Sequence, residues 1–265
     1  MTRFLKWLLA PMRVNWLQPF YEKLYLFTLY AMNYGGGSYT EDSGEAFVLQ
    51  YIAQKTGSQP VTVFDVGANV GSYARMVLKT FGQRATVHCF EPARNTFQTL
   101  TQSVTASNVQ KHPFGLSSKT GQLSLYADAD QSGMTSVYSR DLEHLNISFE
   151  SVEVASFSTA DEFCREQGIN HIDLLKIDVE GHEFSVLEGA AQLLRDQRIR
   201  FIQFEFGGTN IDSRTFFRDF WKILHPDFTL YRIVGNGLRR IDQYSELLEI
   251  FVAVNYFAER KSNPA

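Results

Sequence analysis

Val61-Thr62-Val63-Phe64-Asp65-Val66-Gly67-Ala68-Asn69-Val70-Gly71 is the stretch whose reading decides the fold. Its first six positions are mostly β-branched or aromatic, the composition of a short buried strand. Two glycines then interrupt the run. From Ser72 to Thr80 the apolar residues Tyr73, Met76, Val77 and Leu78 recur at helical spacing. A strand, a glycine turn and a helix in immediate succession form the opening unit of an α/β domain. Gly67 suits a tight turn and a close approach to the backbone, and Gly71 lets the helix begin near the strand. The spacing is GxxxG, not the GxGxxG of dinucleotide sites. Asp65 stands beside it. A pyrophosphate is poorly served next to a carboxylate, whereas a ligand carrying a cationic amino group is well served.

The next strand outward, Ala85–Phe90, runs into Glu91-Pro92. Glu91 follows Gly71 by twenty positions, which puts it at the tip of the neighbouring strand. A carboxylate there can accept bonds from both hydroxyls of a ribose. The competing reading is a solvated glutamate at a strand end. Loop, spacing and Glu91 together point to a nucleoside-type cofactor.

The alternation continues along the chain. Helices are expected at Gly44–Lys55, Arg94–Val104, Thr159–Gln167, Glu183–Leu194 and Thr215–Leu224. Strands are expected at Val109–Leu116, Gln122–Tyr126, Val152–Phe157, Ile172–Ile177, Arg200–Phe206 and Phe228–Val234. Ser158 or Thr159 caps its helix, with Glu162 as the partner of Thr159. Asn236-Gly237 marks a hairpin into Leu238–Ile241, and Ile250–Val254 closes the domain. The pattern predicts an α/β fold: a mostly parallel sheet covered on both faces, with an antiparallel C-terminal edge. Ligands of such folds bind beyond the carboxyl ends of the strands.

At one such end, Ile172-Asp173-Leu174-Leu175-Lys176-Ile177 leads into Asp178-Val179-Glu180-Gly181-His182-Glu183. A histidine among carboxylates suits a general base for a hydroxyl, and the same set suits a divalent cation. The competing reading is that Glu180 and Glu183 only favour a helix N-terminus. Glu205, framed by Phe204 and Phe206 after another core strand, reads as a buried carboxylate of the site or as half of a structural ion pair. The long polar stretch from Asp128 to Glu150, with Ser132-Gly133-Met134-Thr135-Ser136, reads as a lid over the acceptor or as a plain solvent loop.

The bulk numbers set limits on function. The chain has 265 residues, enough for one large domain with an extension. Acidic residues outnumber basic ones, 29 to 25, so nothing suggests a nucleic-acid partner. Cys89 and Cys164 lie outside any CxxC or Cys/His cluster and read as buried thiols, which suits a cytoplasmic protein. Tyr34-Gly35-Gly36-Gly37-Ser38 divides the chain into an aromatic helical arm, residues 1–37, and a catalytic domain, residues 38–265. Pro11, Arg13, Pro19, Glu22 and Lys23 interrupt any membrane span in the arm. Packing on the domain or on a second subunit is expected, with peripheral membrane contact as the alternative.

Phe64-Asp65-Val66-Gly67-Ala68-Asn69-Val70-Gly71-Ser72-Tyr73, Phe90-Glu91-Pro92, Phe114-Gly115-Leu116-Ser117 and Leu175-Lys176-Ile177-Asp178-Val179-Glu180-Gly181-His182-Glu183 together resemble the FkbM family of S-adenosylmethionine-dependent methyltransferases. The resemblance runs from about Asp65 to Gly207 and is most specific in the last motif. It implies a seven-stranded class I methyltransferase fold and methyl transfer to a hydroxyl of a sugar, glycan or other natural product. It implies that Asp65, Gly67 and Asn69 contact the methionine part of the cofactor, Glu91 the ribose, and Gly115 and Leu116 the adenine. Asp178, Glu180 and His182 would then face the methyl acceptor. Two rival readings stand beside it: an NAD-dependent oxidoreductase on a similar fold, and a non-catalytic protein that works through its aromatic arm.

Overall fold

A computed structural model describes residues 10–35, 43–128, 135–142 and 149–262. Among them, eight strands form one sheet in the order β10-β9-β11-β8-β7-β1-β2-β3. These are β1 (Val61–Val66), β2 (Ala85–Phe90), β3 (Val109–His112), β7 (Ile172–Ile177), β8 (Ile199–Phe206), β9 (Phe228–Val234), β10 (Gly237–Ile241) and β11 (Val254–Arg260). The five strands from β3 to β8 run parallel. β11 is antiparallel to both β8 and β9, and the β9–β10 hairpin adds an eighth strand to the seven expected. The chain winds outward from β1 to β3, then returns to the other side of β1 at β7. The order therefore reverses between β1 and β7, where open α/β sheets take their ligands.

The pleat sorts the residues onto two faces. Val61 and Val63 of β1, Leu174 of β7 and Phe201 of β8 pack under α2 (Glu45–Thr56) and α3 (Ser72–Phe81). Phe64, Val66, Leu175, Ile177, Ile202 and Phe204 pack on the opposite side with α5 (Ala160–Gln167) and α9 (Phe217–Leu224). Helix α4 (Arg94–Ser103) lies against α3 through Leu100, whose methyl would lie 2.8 Å from a Cβ at Gly71. The left-handed turn at Gly71 thus exists for helix packing. Thr159 caps α5 by accepting from the Glu162 amide at 3.0 Å, as its sequence spacing suggested.

Three expectations needed correction. The stretch from Val109 to Leu116 divides at Pro113, and its second part, β4 (Gly115–Leu116), joins a separate sheet of order β4-β6-β5 with β5 (Gly121–Asp128) and β6 (Phe149–Ser158). The helix expected over 183–194 is two helices, α6 (Glu183–Glu188) and α7 (Ala191–Arg195). The Asp161 carboxylate accepts from the Gln192 and Leu193 amides and starts α7 afresh, while Gly189 lies too close to Ser117 O to carry a side chain. The closing strand begins at Val254, where the expected one ended. Its first five residues are all buried between β8 and β9, so they show no alternation to read.

Helix α1 (Gln18–Ala31) is present in the arm, but of its residues only Leu29 is buried. The proposed boundary glycines Gly36 and Gly37 and residues 1–9 lie outside the described residues. Cys89 and Cys164 are free and buried.

Candidate active site

A cavity of about 270 Å³ opens at the carboxyl ends of β1, β2 and β7. Its first wall is the turn after β1. Gly67 adopts φ +80°, and a Cβ there would lie 1.8 Å from the carbonyl oxygen of Asp178. Glycine is therefore required for the β1 and β7 loops to touch. Asn69 also takes a left-handed conformation, φ +47°. Its amide donates to Glu91 Oε2 at 3.0 Å, and the Ala93 amide donates to Oε1 at 2.9 Å. Glu91 is thus fixed by backbone on both sides, and each carboxylate oxygen retains acceptor capacity for a ligand. Burial raises its pKa to about 7.

Behind this wall runs a polar row that register explains. Asp65 pairs with Cys89 on one side and Lys176 on the other, and Lys176 pairs with Gln203. All of them point to the face under α2 and α3. The Asp65 carboxylate is fully buried without a hydrogen-bond partner, 3.7 Å from Lys176 Nζ. Lys176 donates to Asp178 Oδ2 at 3.1 Å and lies 5.1 Å from the centre of the Tyr73 ring. Gln203 accepts from Tyr73 Oη at 3.0 Å and donates to Glu45 Oε1 at 2.8 Å. Burial works against the Lys176 charge, but Asp178, Asp65 and Glu45 together hold its pKa above the ordinary value. Burial raises Asp65 and Glu45, with Lys176 opposing in both cases.

The second wall is the loop from Asp178 to Glu183. Glu183 is buried, and its Oε1 accepts from the Val179 and Gly181 amides at 3.0 Å each. Its role is to hold the turn, which is the structural reading its sequence position allowed. Glu180 sits at φ +53° and accepts from Arg140 Nη1 at 3.3 Å. Arg140 also reaches Asp212 of α8 (Thr209–Asp212) at 3.7 Å. Burial first, then the nearby Asp178 charge, pushes the Glu180 pKa up to about 8. His182 is buried, with Nε2 2.9 Å from Ser117 Oγ and Nδ1 3.3 Å from Tyr138 Oη. Burial lowers its pKa to about 4, so the ring is neutral at neutral pH.

The small sheet is the roof, with Gly115, Leu116, Leu125 and Phe157 facing the cavity. A Cβ on Gly115 would lie 2.3 Å from the Phe157 ring, so that glycine makes room for an aromatic neighbour. In the described part of the lid stretch, Thr135 and Val137 line the cavity, and Ser136 Oγ donates to the Glu180 carbonyl at 2.7 Å. Residues 129–134 and 143–148 of that stretch lie outside the described residues.

The cavity lining thus gathers Gly67, Asn69, Glu91, Gly115, Leu116, Asp178, Glu180 and His182. Asp65, Gly71 and Glu205 stand outside the lining. Asp65 is fully buried beside Lys176, and Gly71 faces α4. Burial first, then the neighbouring carboxylates of Asp178, Glu180 and Glu183, holds the Glu205 pKa well above the ordinary glutamate value. Sequence reasoning gave no role to Lys176, Glu45, Arg140, Ser117 or Tyr138. Lys176 carried a signal, a lone charge inside Leu174-Leu175-Lys176-Ile177. The others come from distant segments and carried none. Among the described residues, no group of three or more His, Cys, Asp or Glu is placed to hold a metal ion.

Residues 65–233 match the family model described as the methyltransferase FkbM domain. The chain belongs to the FkbM methyltransferase family. That matched segment contains every residue of the FkbM-family cavity lining except Glu45 and Asn255. The hexuronic acid methyltransferase AglP of Haloferax volcanii is 26% identical over 166 residues, covering 62% of this chain and 64% of that protein. The 2-O-methyltransferase NoeI of Sinorhizobium fredii is 25% identical over 154 residues, covering 54% of this chain and 62% of its own length. The chain thus spans just under two thirds of the length of these relatives. The crystal structure of the methyltransferase FkbM from Methylobacillus flagellatus is 17% identical, with a TM-score of 0.42, and covers 76% of this chain and 44% of that one.

Proposed function

We propose that this chain transfers a methyl group from S-adenosylmethionine to a hydroxyl of a small-molecule or glycan acceptor. The observation that carries the proposal is the set of acidic side chains lining the cavity, whose oxygens accept from a ligand's ammonium. Glu45, Glu91, Asp178 and Glu180 line it against the single ammonium of Lys176 among the described lining residues. A cofactor bearing an ammonium and a sulfonium suits that lining, and a pyrophosphate does not. The backbone-fixed Glu91 suits the two hydroxyls of a ribose, and the close backbone at Gly67 and Asn69 suits the methionine end. Gly115 and Leu116 offer an apolar edge for the adenine. The residues present therefore fit the cofactor, which supplies an electrophilic methyl group when bound.

The chain's own residues supply alignment and a proton acceptor. Neutral His182 takes the hydroxyl proton, at whichever ring nitrogen the acceptor displaces from Ser117 or Tyr138. The remaining partner holds the imidazole plane. Asp178, anchored by Lys176, orients the acceptor hydroxyl. Glu180 is a second acid–base candidate, because its raised pKa sits near the working range. AglP and NoeI, by their names, act on a hexuronic acid and at a 2-hydroxyl position. That points the acceptor search toward sugars.

The test is incubation with S-adenosylmethionine labelled in its methyl group and a panel of hexuronic acids, neutral hexosides and phenolic natural products. Label is expected on a hydroxyl oxygen, and lost in His182→Ala with cofactor affinity unchanged. Absence of label from every acceptor, together with NADH binding, would overturn the reading.

A further inference from the structure

The arm presents a surface that the catalytic reading does not use. Trp16 is 78% exposed, Phe20 60%, Phe27 68% and Tyr30 69%. Leu24, Tyr25 and Leu26 are also exposed, and no part of α1 before Leu29 is buried. Among its described residues, the arm is held at its carboxyl end. Leu29 joins the core, and Gly35 N donates to Ala253 O at 2.8 Å. Arg232 donates to Tyr34 Oη at 3.2 Å and lies over that ring. Asn33 donates to the carbonyls of Ile233 and Ser43. This root fixes α1 to the carboxyl edge of the main sheet, beside the segment that carries Glu45 into the cavity. Among the described residues, the arm packs on the domain from Leu29 to Gly35.

We propose that this arm is an interfacial helix that docks on the anionic surface of a lipid bilayer. Three observations select that occupant. The first is charge. Residues 1–35 carry Arg3, Lys6, Arg13 and Lys23 against Glu22, a net of +3, so with a total of -4 the rest of the chain carries -7. Basic residues near an anionic leaflet each strengthen attachment, while the acidic remainder is repelled from it. The second is the position of Lys23. Phe20, Phe27 and Tyr30 stand at i−3, i+4 and i+7 from it, so an ammonium lies inside the aromatic face. Cores of protein–protein interfaces are depleted in lysine. In an interfacial helix the same side chain reaches out to the headgroups. The third is composition: Trp16, Tyr25 and Tyr30 are rings with one apolar and one polar end, the type enriched at the headgroup level. Among the described residues no helix is long and apolar enough to cross a membrane, so the helix lies on the surface.

The experiment is flotation of the full chain with vesicles of phosphatidylcholine alone, and of phosphatidylcholine mixed equally with phosphatidylglycerol. Binding is expected to the mixed vesicles, with a blue shift of tryptophan fluorescence. The paired substitutions Phe20→Glu and Phe27→Glu should weaken binding by roughly tenfold or more, as should Arg13→Glu with Lys23→Glu. All four side chains are exposed, and circular dichroism of each pair should match the parent. Failure of the parent chain to bind mixed vesicles would overturn the proposal. So would unchanged binding by both pairs. A dimer in sedimentation that Phe20→Glu with Phe27→Glu dissolves, without any vesicle binding, would assign the face to a second copy instead.

Discussion

At the carboxyl ends of β1 and β2 the cavity wall is backbone, and at the carboxyl end of β7 it is side chain. The first region is a turn of glycine and left-handed asparagine, where the Asn69 amide and the Ala93 amide clamp one carboxylate, Glu91. The second is a loop whose polar side chains are held by partners from elsewhere: Arg140, itself paired with Asp212, on Glu180, and Ser117 and Tyr138 on His182. A backbone wall depends on φ and on close approach, so it tolerates little change and binds whatever fits its shape. A side-chain wall can be altered residue by residue. Lys176 joins the two, since it pairs with Asp65 behind the first wall and with Asp178 in the second.

The largest expected effect separates the regions by function. His182→Ala should lower kcat by roughly a hundredfold to ten-thousandfold and leave the affinity for S-adenosylhomocysteine unchanged. Equal loss of both would mean that the two walls are not independent. The pH profile sharpens the assignment. With the His182 pKa near 4, kcat carried by His182 stays level across neutral pH, whereas a rise through about pH 8 would move the proton to Glu180.

Gly67→Ala attacks the contact between the walls. The added methyl would lie 1.8 Å from Asp178 O at a backbone conformation unfavourable to alanine. Strain and overpacking together should cost about 3–5 kcal/mol in urea unfolding. Lys176→Met leaves the buried Asp65 without its counter-charge. It should cost about 3 kcal/mol, and an unchanged unfolding midpoint would show that Asp65 is neutral without it.

The smallest effect is on stability against pH. Burial raises Glu91 and Glu183 to about 7 and Glu180 to about 8, so in this range the folded state binds more protons than the unfolded chain. Their contribution is complete below the ordinary glutamate range and is lost as pH rises through the raised values. Burial lowers His88, His112 and His182 to about 4, so their contribution grows as pH rises from there toward the ordinary histidine value and is then constant. The two sets oppose each other at acid pH. From about pH 6.5 to 8 only the glutamates act, and Tm of the free protein should fall over that interval. A level or rising Tm would show that the carboxylates are ionised in the fold.

The same contrast explains what the sequence made legible. The backbone wall depends on residues close together in the chain, so Gly67 and Glu91 could be read from spacing, while Asn69 entered through the family resemblance. The two faces of the sheet were legible as well, because Val63 and Phe64, or Leu174 and Leu175, alternate in register. Asp65 stands next to the turn in sequence and reads as a cofactor contact; in the fold it lies beside Lys176, which itself lines the cavity. Arg140, Ser117 and Tyr138 meet the β7 loop only through the fold and left no local signal. The break at Gly189 was hidden for the same reason, since its cause is Ser117, 72 positions earlier.

The measurement that tests the central claim most directly is calorimetric titration of the parent chain and of Glu91→Ala with S-adenosylhomocysteine and with NADH. Micromolar binding of S-adenosylhomocysteine is expected in the parent, weakened roughly tenfold to a hundredfold by loss of the charged acceptor, with no binding of NADH. Equal affinity in the two folded proteins, or binding of NADH in place of S-adenosylhomocysteine, would contradict it.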